Sequence, residues 1–292
     1  MAKNLSPRAP PYVHLLAELE DGILTVTLNR PEKLNAYSLT MGLELRAVFE
    51  RANEDDAVRV IIVTGCGRGF CSGADLSPGP LDLSHRIAAY DDAPETRIEN
   101  RFVDAIFNCN KPSIAAINGP AIGVGITMTL PMDIRIMSDA ARFGFVFARR
   151  GLIPESGSSW FLPRIVGLPQ ALRWCLEADI YDAAEALRAG LVSELTSPAQ
   201  CVPRARAIAR SIVDGSSAVS IALTRQLLTR ASAAAVPWPV LELDSRLVRE
   251  LSAGADVKEG TRAFAENREP KFSSTLSADL PKSFPWWEPD KG

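Results

Sequence analysis

Two glycine-rich turns and one carboxylate supply the residue types needed to stabilise and protonate an enolate. The carboxylate is Glu155, within the segment Gly151-Leu-Ile-Pro-Glu-Ser-Gly157. The turns are Asn118-Gly-Pro-Ala-Ile-Gly-Val-Gly125 and Phe70-Cys-Ser-Gly-Ala-Asp75. Glycine lets a turn point backbone N–H groups outward. Two such groups can hold a developing oxyanion while an acid moves a proton.

The candidate oxyanion donors are Gly73-Ala74 and Gly123-Val124. A helix after Gly123 would add its positive N-terminal end. These glycines could instead serve only to pack strands tightly against helices. Glu155 could likewise be an exposed residue in the first turn of a helix, where the dipole favours a carboxylate. A base that works near neutral pH needs apolar burial. The neighbours that could provide it are Ile153, Pro154, Trp160 and Phe161.

Several other kinds of site are disfavoured. Gly65-Cys-Gly-Arg-Gly-Phe70 has phenylalanine where a dinucleotide-binding fingerprint needs its third glycine, and a turn follows where a helix is required. No phosphate-binding P-loop motif occurs. The two histidines, His14 and His85, lie in no zinc-ligand spacing, so no metal site is expected. A serine nucleophile elbow is also absent from the sequence.

Strand and helix patterns alternate to about residue 196, and helical patterns alone follow. Strands are predicted over 13–20, 22–29, 58–63, 113–117 and 133–137. Helices are predicted over 38–53 with Ser38 as N-cap, 95–108, 123–130, 156–166, 169–177, 182–190, 200–214, 217–230, 237–253 and 256–267. This order predicts an α/β core with a helical appendage. The predicted segments are a loose arm (1–12), the core (13–196), the helical region (197–269) and an irregular tail (270–292).

Composition favours an ordinary globular protein. The 292 residues are 47% hydrophobic and 23% charged, with a formal net charge of −3. This charge gives no reason to expect nucleic acid or an anionic membrane as a partner. No apolar run is long enough for a membrane span. The five cysteines are scattered and form no CxxC pair, which is typical of a reduced protein. We therefore expect a cytoplasmic location.

Several segments, in a fixed order over about residues 13–272, resemble the crotonase, or enoyl-CoA hydratase/isomerase, superfamily. They are 29–36, 70–76, 111–125, Phe143-Gly144, 151–155, 189–192 and 264–268. The resemblance implies a spiral of ββα units with an α-helical C-terminal region. It also implies acyl-CoA thioester substrates, a homotrimer or a hexamer of paired trimers, and no cofactor beyond the coenzyme A of the substrate.

The resemblance also implies roles for individual residues. Ala74 and Val124 would donate the two oxyanion-hole N–H groups, and Glu155 would be catalytic. Phe264 and Lys271 would reach a neighbouring subunit's ligand. The full set implied for coenzyme A and substrate binding is Lys33, Leu34, Ala36, Ser72, Gly73, Asp75, Leu76, Gly123, Phe147, Trp160, Phe264 and Lys271.

Two positions depart from the hydratases of this superfamily. The hydratases are similar to this chain in sequence, but they carry two glutamates at the positions that Thr127 and Phe147 occupy here. Peroxisomal-type Δ3,Δ2-enoyl-CoA isomerases instead carry their acid at the position of Glu155. The favoured function is therefore double-bond isomerisation with Glu155 as acid/base. A hydratase or other lyase that uses Glu155 or a loop acid remains open, as does a non-catalytic protein that binds an acyl-CoA or a protein partner. The loop acids are Asp91, Asp92 and Glu95.

Overall fold

The computed structural model describes residues 3–4, 12–75, 101–232 and 234–287. The strands are β1 (Lys3–Asn4), β2 (Leu15–Glu20), β3 (Ile23–Leu28), β4 (Val60–Gly65), β5 (Ser113–Ile117), β6 (Ala121–Ile122), β7 (Ile134–Ser138), β8 (Arg142–Gly144), β9 (Tyr181–Asp182) and β10 (Glu194–Thr196). The α-helices are α1 (Leu39–Glu54), α2 (Arg101–Asn108), α3 (Val124–Thr127), α4 (Ser158–Val166), α5 (Leu168–Glu177), α6 (Ala183–Arg188), α7 (Cys201–Val213), α8 (Ala218–Ala231), α9 (Trp238–Ser252), α10 (Ala255–Ala265) and α11 (Leu276–Asp279).

A seven-stranded sheet, in the order β1-β2-β3-β4-β5-β7-β10, forms the centre of the fold. The predicted strands β2 and β3 form an antiparallel hairpin, and its turn residues Asp21 and Gly22 have φ angles of 49° and 79°. Positive φ at both positions is typical of the turn that fits the twist of two antiparallel strands. From β3 to β10 the pairings are parallel. The carboxyl ends of β3, β4 and β5 therefore meet at one edge, where the loops with the predicted site residues begin.

Both faces of the sheet are covered. All six residues of β4 are buried, and alternate side chains point to opposite faces. Ile61 and Val63 belong to the larger core, whereas Val60 and Ile62 belong to a second core. Helix α7 covers that second core with small residues, among them Ala205. Strand β4 is thus buried on both faces, as is typical of parallel sheets.

Two predicted helices are wrong in their bounds, for local reasons. The helix expected over 123–130 is a single turn, α3, because the chain continues in tighter turns: Thr129 N donates to Ile126 O and Leu130 N donates to Thr127 O, each at 3.1 Å. The helix expected from residue 156 begins at Ser158, since Ser156 and Gly157 have left-handed φ angles of 54° and 67°. Five of the described strands, β1, β6, β8, β9 and β10, were not predicted. Three of them form the separate sheet β6-β8-β9, and β10 extends the main sheet beside β7.

Helices follow one another after residue 200, as predicted. Helix α1 also begins as expected, and the Ser38 side chain accepts a hydrogen bond from Met41 N at 3.2 Å. The arm predicted to be loose contains a strand at Lys3–Asn4, which pairs with β2.

The first residues of the helix predicted over 95–108 lie outside the described residues. No described helix is both long and apolar enough to cross a membrane.

The tail after residue 270 packs on the chain's own helices. Leu276 in α11 shares a buried cluster with Val219 and Leu223 of α8, and Phe284 and Trp286 pack against it. The ring centroids of Phe284 and Trp287 lie 5.2 Å apart. A tail with little sequence periodicity is thus ordered by its aromatic contacts.

Candidate active site

The loop after β3 is held in shape by a buried asparagine. Asn35 has a φ angle of 54° and no exposed surface. Its amide nitrogen donates to the carbonyl oxygens of Cys66 and Gly69 at 2.9 and 2.8 Å, and its oxygen accepts from Arg30 N at 2.8 Å. Asparagine tolerates this left-handed conformation better than most residues. Asn35 therefore ties the 30–36 loop to the segment that follows β4.

An ion-pair cluster makes a second tie between the same segments. Asp75 Oδ2 accepts from the Arg30 guanidinium at 2.7 Å and from Lys33 Nζ at 3.1 Å. The side chains of Arg30 and Asp75 are 10% and 12% exposed, so this pair is well shielded from solvent. Ser72 N also donates to Leu34 O at 3.0 Å. Asp75, predicted to bind substrate, is engaged with the loop that carries Lys33.

The two predicted oxyanion turns lie side by side. Cys71 pairs with Ala121 in a parallel bridge, and Ile122 N donates to Cys71 O at 3.0 Å. Gly73 also lies close to this strand, since a Cβ at that position would be 3.1 Å from Ile122 O. The neighbouring bridge to Tyr37 uses the carbonyl of Gly73 and the N–H of Asp75. No acceptor in the part of the chain that the structure describes takes the N–H of Ala74 or Val124. The role of these two N–H groups as donors to a bound oxygen atom stays a prediction.

Glycine is required in the second turn for two different reasons. Gly123 has φ 55° and ψ −121°, a conformation that side chains with a Cβ rarely adopt. A Cβ on Gly125 would lie 2.1 Å from Cys71 O, so that position admits no side chain. The first glycine aims the N–H of Val124, and the second lets α3 approach the 70–75 segment.

Glu155 reaches this turn through a hydrogen bond. Thr127 Oγ1 donates to Glu155 Oε1 at 2.5 Å, and the Ser156 hydroxyl donates to Oε2. Thr127 is the last residue of α3 and Val124 is the first. Residues three apart in a helix are neighbours on its surface, about 5–6 Å apart at Cβ. The carboxylate therefore lies one helical turn from a predicted oxyanion donor.

Two buried side chains, those of Phe147 and Cys71, lie beside the second turn. Phe147 is buried, and its ring lies 4.0 Å from where a Cβ of Gly123 would be. The Cys71 thiol is fully buried, and this burial raises its pKa to about 12, with a further contribution from Glu155. Ile153 was expected to help bury Glu155. That prediction is wrong, because Ile153 is 81% exposed.

These features match a known family. The model of the enoyl-CoA hydratase/isomerase family covers residues 18–275. The chain belongs to the enoyl-CoA hydratase/isomerase family. The spiral α/β architecture of the crotonase fold, predicted from the resemblance, is confirmed by solved structures. One of them, the enoyl-CoA hydratase from Bacillus anthracis, has a TM-score of 0.81 and 26% identity over 89% of this chain and 98% of its own.

Family relatives carry two kinds of name. Enoyl-CoA hydratase ACTT3 of Alternaria alternata is 39% identical over 257 residues, which are 88% of this chain and 84% of the relative. The 1,2-epoxyphenylacetyl-CoA isomerase of Escherichia coli is 32% identical over 259 residues, 89% of this chain and 98% of the relative. Membership of the family supports an enzyme, and the choice between these reactions depends on the site.

Two of the predicted binding residues of this family member, Trp160 and Phe264, lie on helices. Trp160 packs against Phe107 at a centroid distance of 6.0 Å and lines a cavity of about 380 Å³ together with Trp286 and Trp287. Phe264 is 88% exposed on α10. Their expected roles, like that of the exposed Lys271, stay predictions. Leu76 and the loop acids Asp91, Asp92 and Glu95 lie outside the described residues.

Sequence reasoning missed the residues that hold the site together. Arg30 and Asn35 are present in the motif 29–36, but their partners lie more than thirty residues away in sequence. Thr127 was recognised only as a position without an acid. Its contact with Glu155 spans 28 residues. A buried polar side chain needs a partner, and that rule could have pointed to a role for each of them.

Proposed function

We propose that this chain moves the double bond of an enoyl-CoA thioester, with Glu155 as the acid/base. The hydrogen bond between Glu155 and Thr127 carries the proposal. It holds a carboxylate one helical turn from the amide of Val124, which with Ala74 would bind the thioester oxygen. Coenzyme A belongs to the substrate, and no other cofactor enters the reaction.

The chemistry requires one proton to move twice. The Glu155 carboxylate takes a proton from C2 of a 3-enoyl thioester, and the electron pair shifts to give a dienolate. The negative charge develops on the thioester oxygen, where two aimed N–H groups stabilise it. The protonated Glu155 then delivers the proton to C4, which leaves the double bond between C2 and C3. The proton is conserved, and no water is consumed.

Two neutral side chains favour isomerisation over hydration. Thr127 and Phe147 stand where the similar hydratases carry their glutamate pair, and Phe147 forms an apolar wall beside Gly123. Neither side chain can activate a water by taking its proton at neutral pH. Glu155 alone suffices for a reaction that both removes and returns a proton.

Hydration of a 2-enoyl thioester is the second candidate. It is favoured by the hydratase names of relatives such as the 39% identical protein from Alternaria alternata. Glu155 would then orient a water, alone or with one of the loop acids outside the described residues.

Binding of the coenzyme A moiety is assigned to the segments that the Arg30–Asp75 pair ties together. These include Lys33, Leu34 and Ala36 in one segment and Ser72 and Gly73 in the other. In a trimer or hexamer, Phe264 and Lys271 would complete the site of a neighbouring subunit. Their exposure on the C-terminal region is compatible with that role.

The test assays 3-enoyl-CoA and 2-enoyl-CoA thioesters of matched short, medium and long chains, with wild type and Glu155→Gln. We expect conversion of the 3-enoyl to the 2-enoyl compound, lost in Glu155→Gln while ligand affinity stays within a few fold, because a base acts on the barrier more than on ground-state binding. The matched control is Glu242→Gln, which makes the same change at an exposed position on α9.

Water addition with little isomerisation would contradict the proposal in favour of a hydratase. Binding without turnover of any thioester would favour a non-catalytic protein. Full activity of Glu155→Gln would remove Glu155 from the mechanism.

A further inference from the structure

The Thr127 hydroxyl bonds an acceptor outside its own helix, which is unusual for a helical threonine. Its side chain is fully buried, and its hydroxyl donates to Glu155 Oε1 rather than to its own helix. Helical threonines commonly bond a carbonyl three or four residues back. Thr129, two residues later and equally buried, follows that pattern and donates to Ile126 O at 2.8 Å. The contrast between these two threonines shows that the Thr127 contact does not arise from local backbone geometry.

We propose that Thr127 is a positioning residue, whose hydroxyl fixes the Glu155 carboxylate at the oxyanion turn in the orientation that proton transfer needs. The inference rests on the proposed function, since it assigns a role at the same site. It concerns a residue at the position of an acid in the similar hydratases. Here that position supplies a donor to an acid on another segment.

The second carboxylate oxygen is held as well. The Ser156 hydroxyl donates to Glu155 Oε2. The backbone before α4 is also fixed, since Ser158 N donates to Glu155 O at 2.9 Å. The carboxylate is thus oriented through both of its oxygens.

A hydroxyl donor also favours the ionised carboxylate. Removal of the Thr127 hydroxyl therefore has two expected consequences. The carboxylate gains rotational freedom, and its charged form loses a stabilising partner. The 70–75 segment carries two titratable side chains. The Cys71 thiol stays neutral near pH 7 because burial raises its pKa to about 12, and the Asp75 carboxylate pairs with Arg30 and Lys33.

The experiment compares Thr127→Val, Thr127→Ser and Thr129→Val with wild type, on the 3-enoyl-CoA that wild type turns over best. Valine keeps the shape of threonine and removes the donor. We expect kcat of Thr127→Val to fall about 10- to 100-fold, as for a misplaced catalytic group, with KM changed less than about threefold. The low-pH limb of its rate profile should move to higher pH. Thr127→Ser should restore both.

Thr129→Val is the matched control, because it removes a buried threonine hydroxyl that bonds only its own turn. We expect wild-type kcat and pH profile from it, whatever it costs in stability. Thermal unfolding reports whether each variant is folded. Thr127→Ala serves as the second hydroxyl-free variant if Thr127→Val does not fold.

The failure of this inference is distinct from failure of the proposed function. Wild-type kcat and pH profile in a folded hydroxyl-free variant, with Glu155→Gln inactive, would overturn the positioning role alone. Equal losses in Thr127→Val and Thr129→Val would also overturn it, since they would report general loosening. An active Glu155→Gln would overturn the proposed function and the positioning role together.

Discussion

The chemistry assigned to single residues here depends on their partners more than on their types. Glu155 is one of many carboxylates, and it is distinguished by two hydroxyl donors and by the nearby amide of Val124. Gly123 has room for a side chain, but its backbone conformation excludes one. A residue's role at this site therefore follows from the atoms within hydrogen-bond reach.

Ala74→Pro tests the first oxyanion donor. The bridge to Tyr37 uses Gly73 O and Asp75 N, so proline at position 74 removes an N–H that makes no bond within the described chain. We expect kcat to fall about 10²–10³-fold, as when one oxyanion-hole donor is removed elsewhere. Ala74→Gly keeps the N–H and should stay active. Near-normal turnover by a folded Ala74→Pro protein would rule this donor out.

Much of the site was predictable at this level. The turns around Ala74 and Val124 were predicted because glycine marks where backbone N–H groups can be exposed. The contact between Thr127 and Glu155 was not, since no local pattern links residues 28 positions apart. The exposure of Ile153 was also not foreseen. An apolar side chain beside a catalytic acid can point to solvent, and its direction depends on turn geometry.

The strands and helices bring together turns that lie far apart in the sequence. The loops that follow β3, β4 and β5 share the same edge because these strands are parallel and adjacent. Helix α10 plays a similar part at the other end of the chain. Its Asp256 accepts from the N–H groups of Ser273 and Ser274, and its Glu259 accepts from Lys271 N. The segment with Lys271 is thereby tied to α10.

The hydrogen bonds that Glu259 accepts from Arg268 and from Lys271 N should make the free energy of unfolding depend on pH. The Arg268 guanidinium, followed by the N–H of Lys271, lowers the pKa of Glu259 from 4.5 to about 2. A carboxyl whose pKa is lowered on folding stabilises the protein above its unfolded pKa, and this contribution is lost as pH falls through its folded pKa. Glu259→Gln should therefore be less stable than wild type above about pH 5. The difference should shrink toward pH 2.

Urea unfolding at several pH values measures this difference. Glu266→Gln is the matched control, since Glu266 also accepts from Arg268 but is half exposed and, within the described residues, makes no hydrogen bond to the Lys271 segment. Its effect should be smaller. A gap between wild type and Glu259→Gln that stays constant from about pH 7 to pH 2 would contradict the assignment.

The whole molecule is an α/β core followed by helices and an ordered aromatic tail. The order of the core and helices was predictable because hydrophobic periodicity changes from strand to helix along the chain. The docking of the tail was not, because Phe284 and Trp286 are held by contacts with α8 and its neighbours rather than by a local pattern. The Arg230 guanidinium lies 3.6 Å from the centroid of the Trp287 ring.

Deletion of residues 281–292 tests whether the tail stabilises the fold. It removes three aromatic side chains that are partly buried against the chain's own helices. We expect a loss of about 2–4 kcal/mol in the free energy of unfolding, in line with the apolar surface exposed. Deletion of 288–292 alone keeps these contacts and is the control. Equal stability of the two truncated proteins would contradict the role of the aromatic residues.

The most direct test of the central claim is the fate of a 3-enoyl-CoA thioester in water labelled with ¹⁸O, followed by mass spectrometry of the acyl product. A reaction in which Glu155 returns the proton that it removes predicts a 2-enoyl product without ¹⁸O. A 3-enoyl thioester that stays unchanged, while the matched 2-enoyl thioester gives a 3-hydroxyacyl product with ¹⁸O, would contradict the isomerase assignment and show that the enzyme adds water.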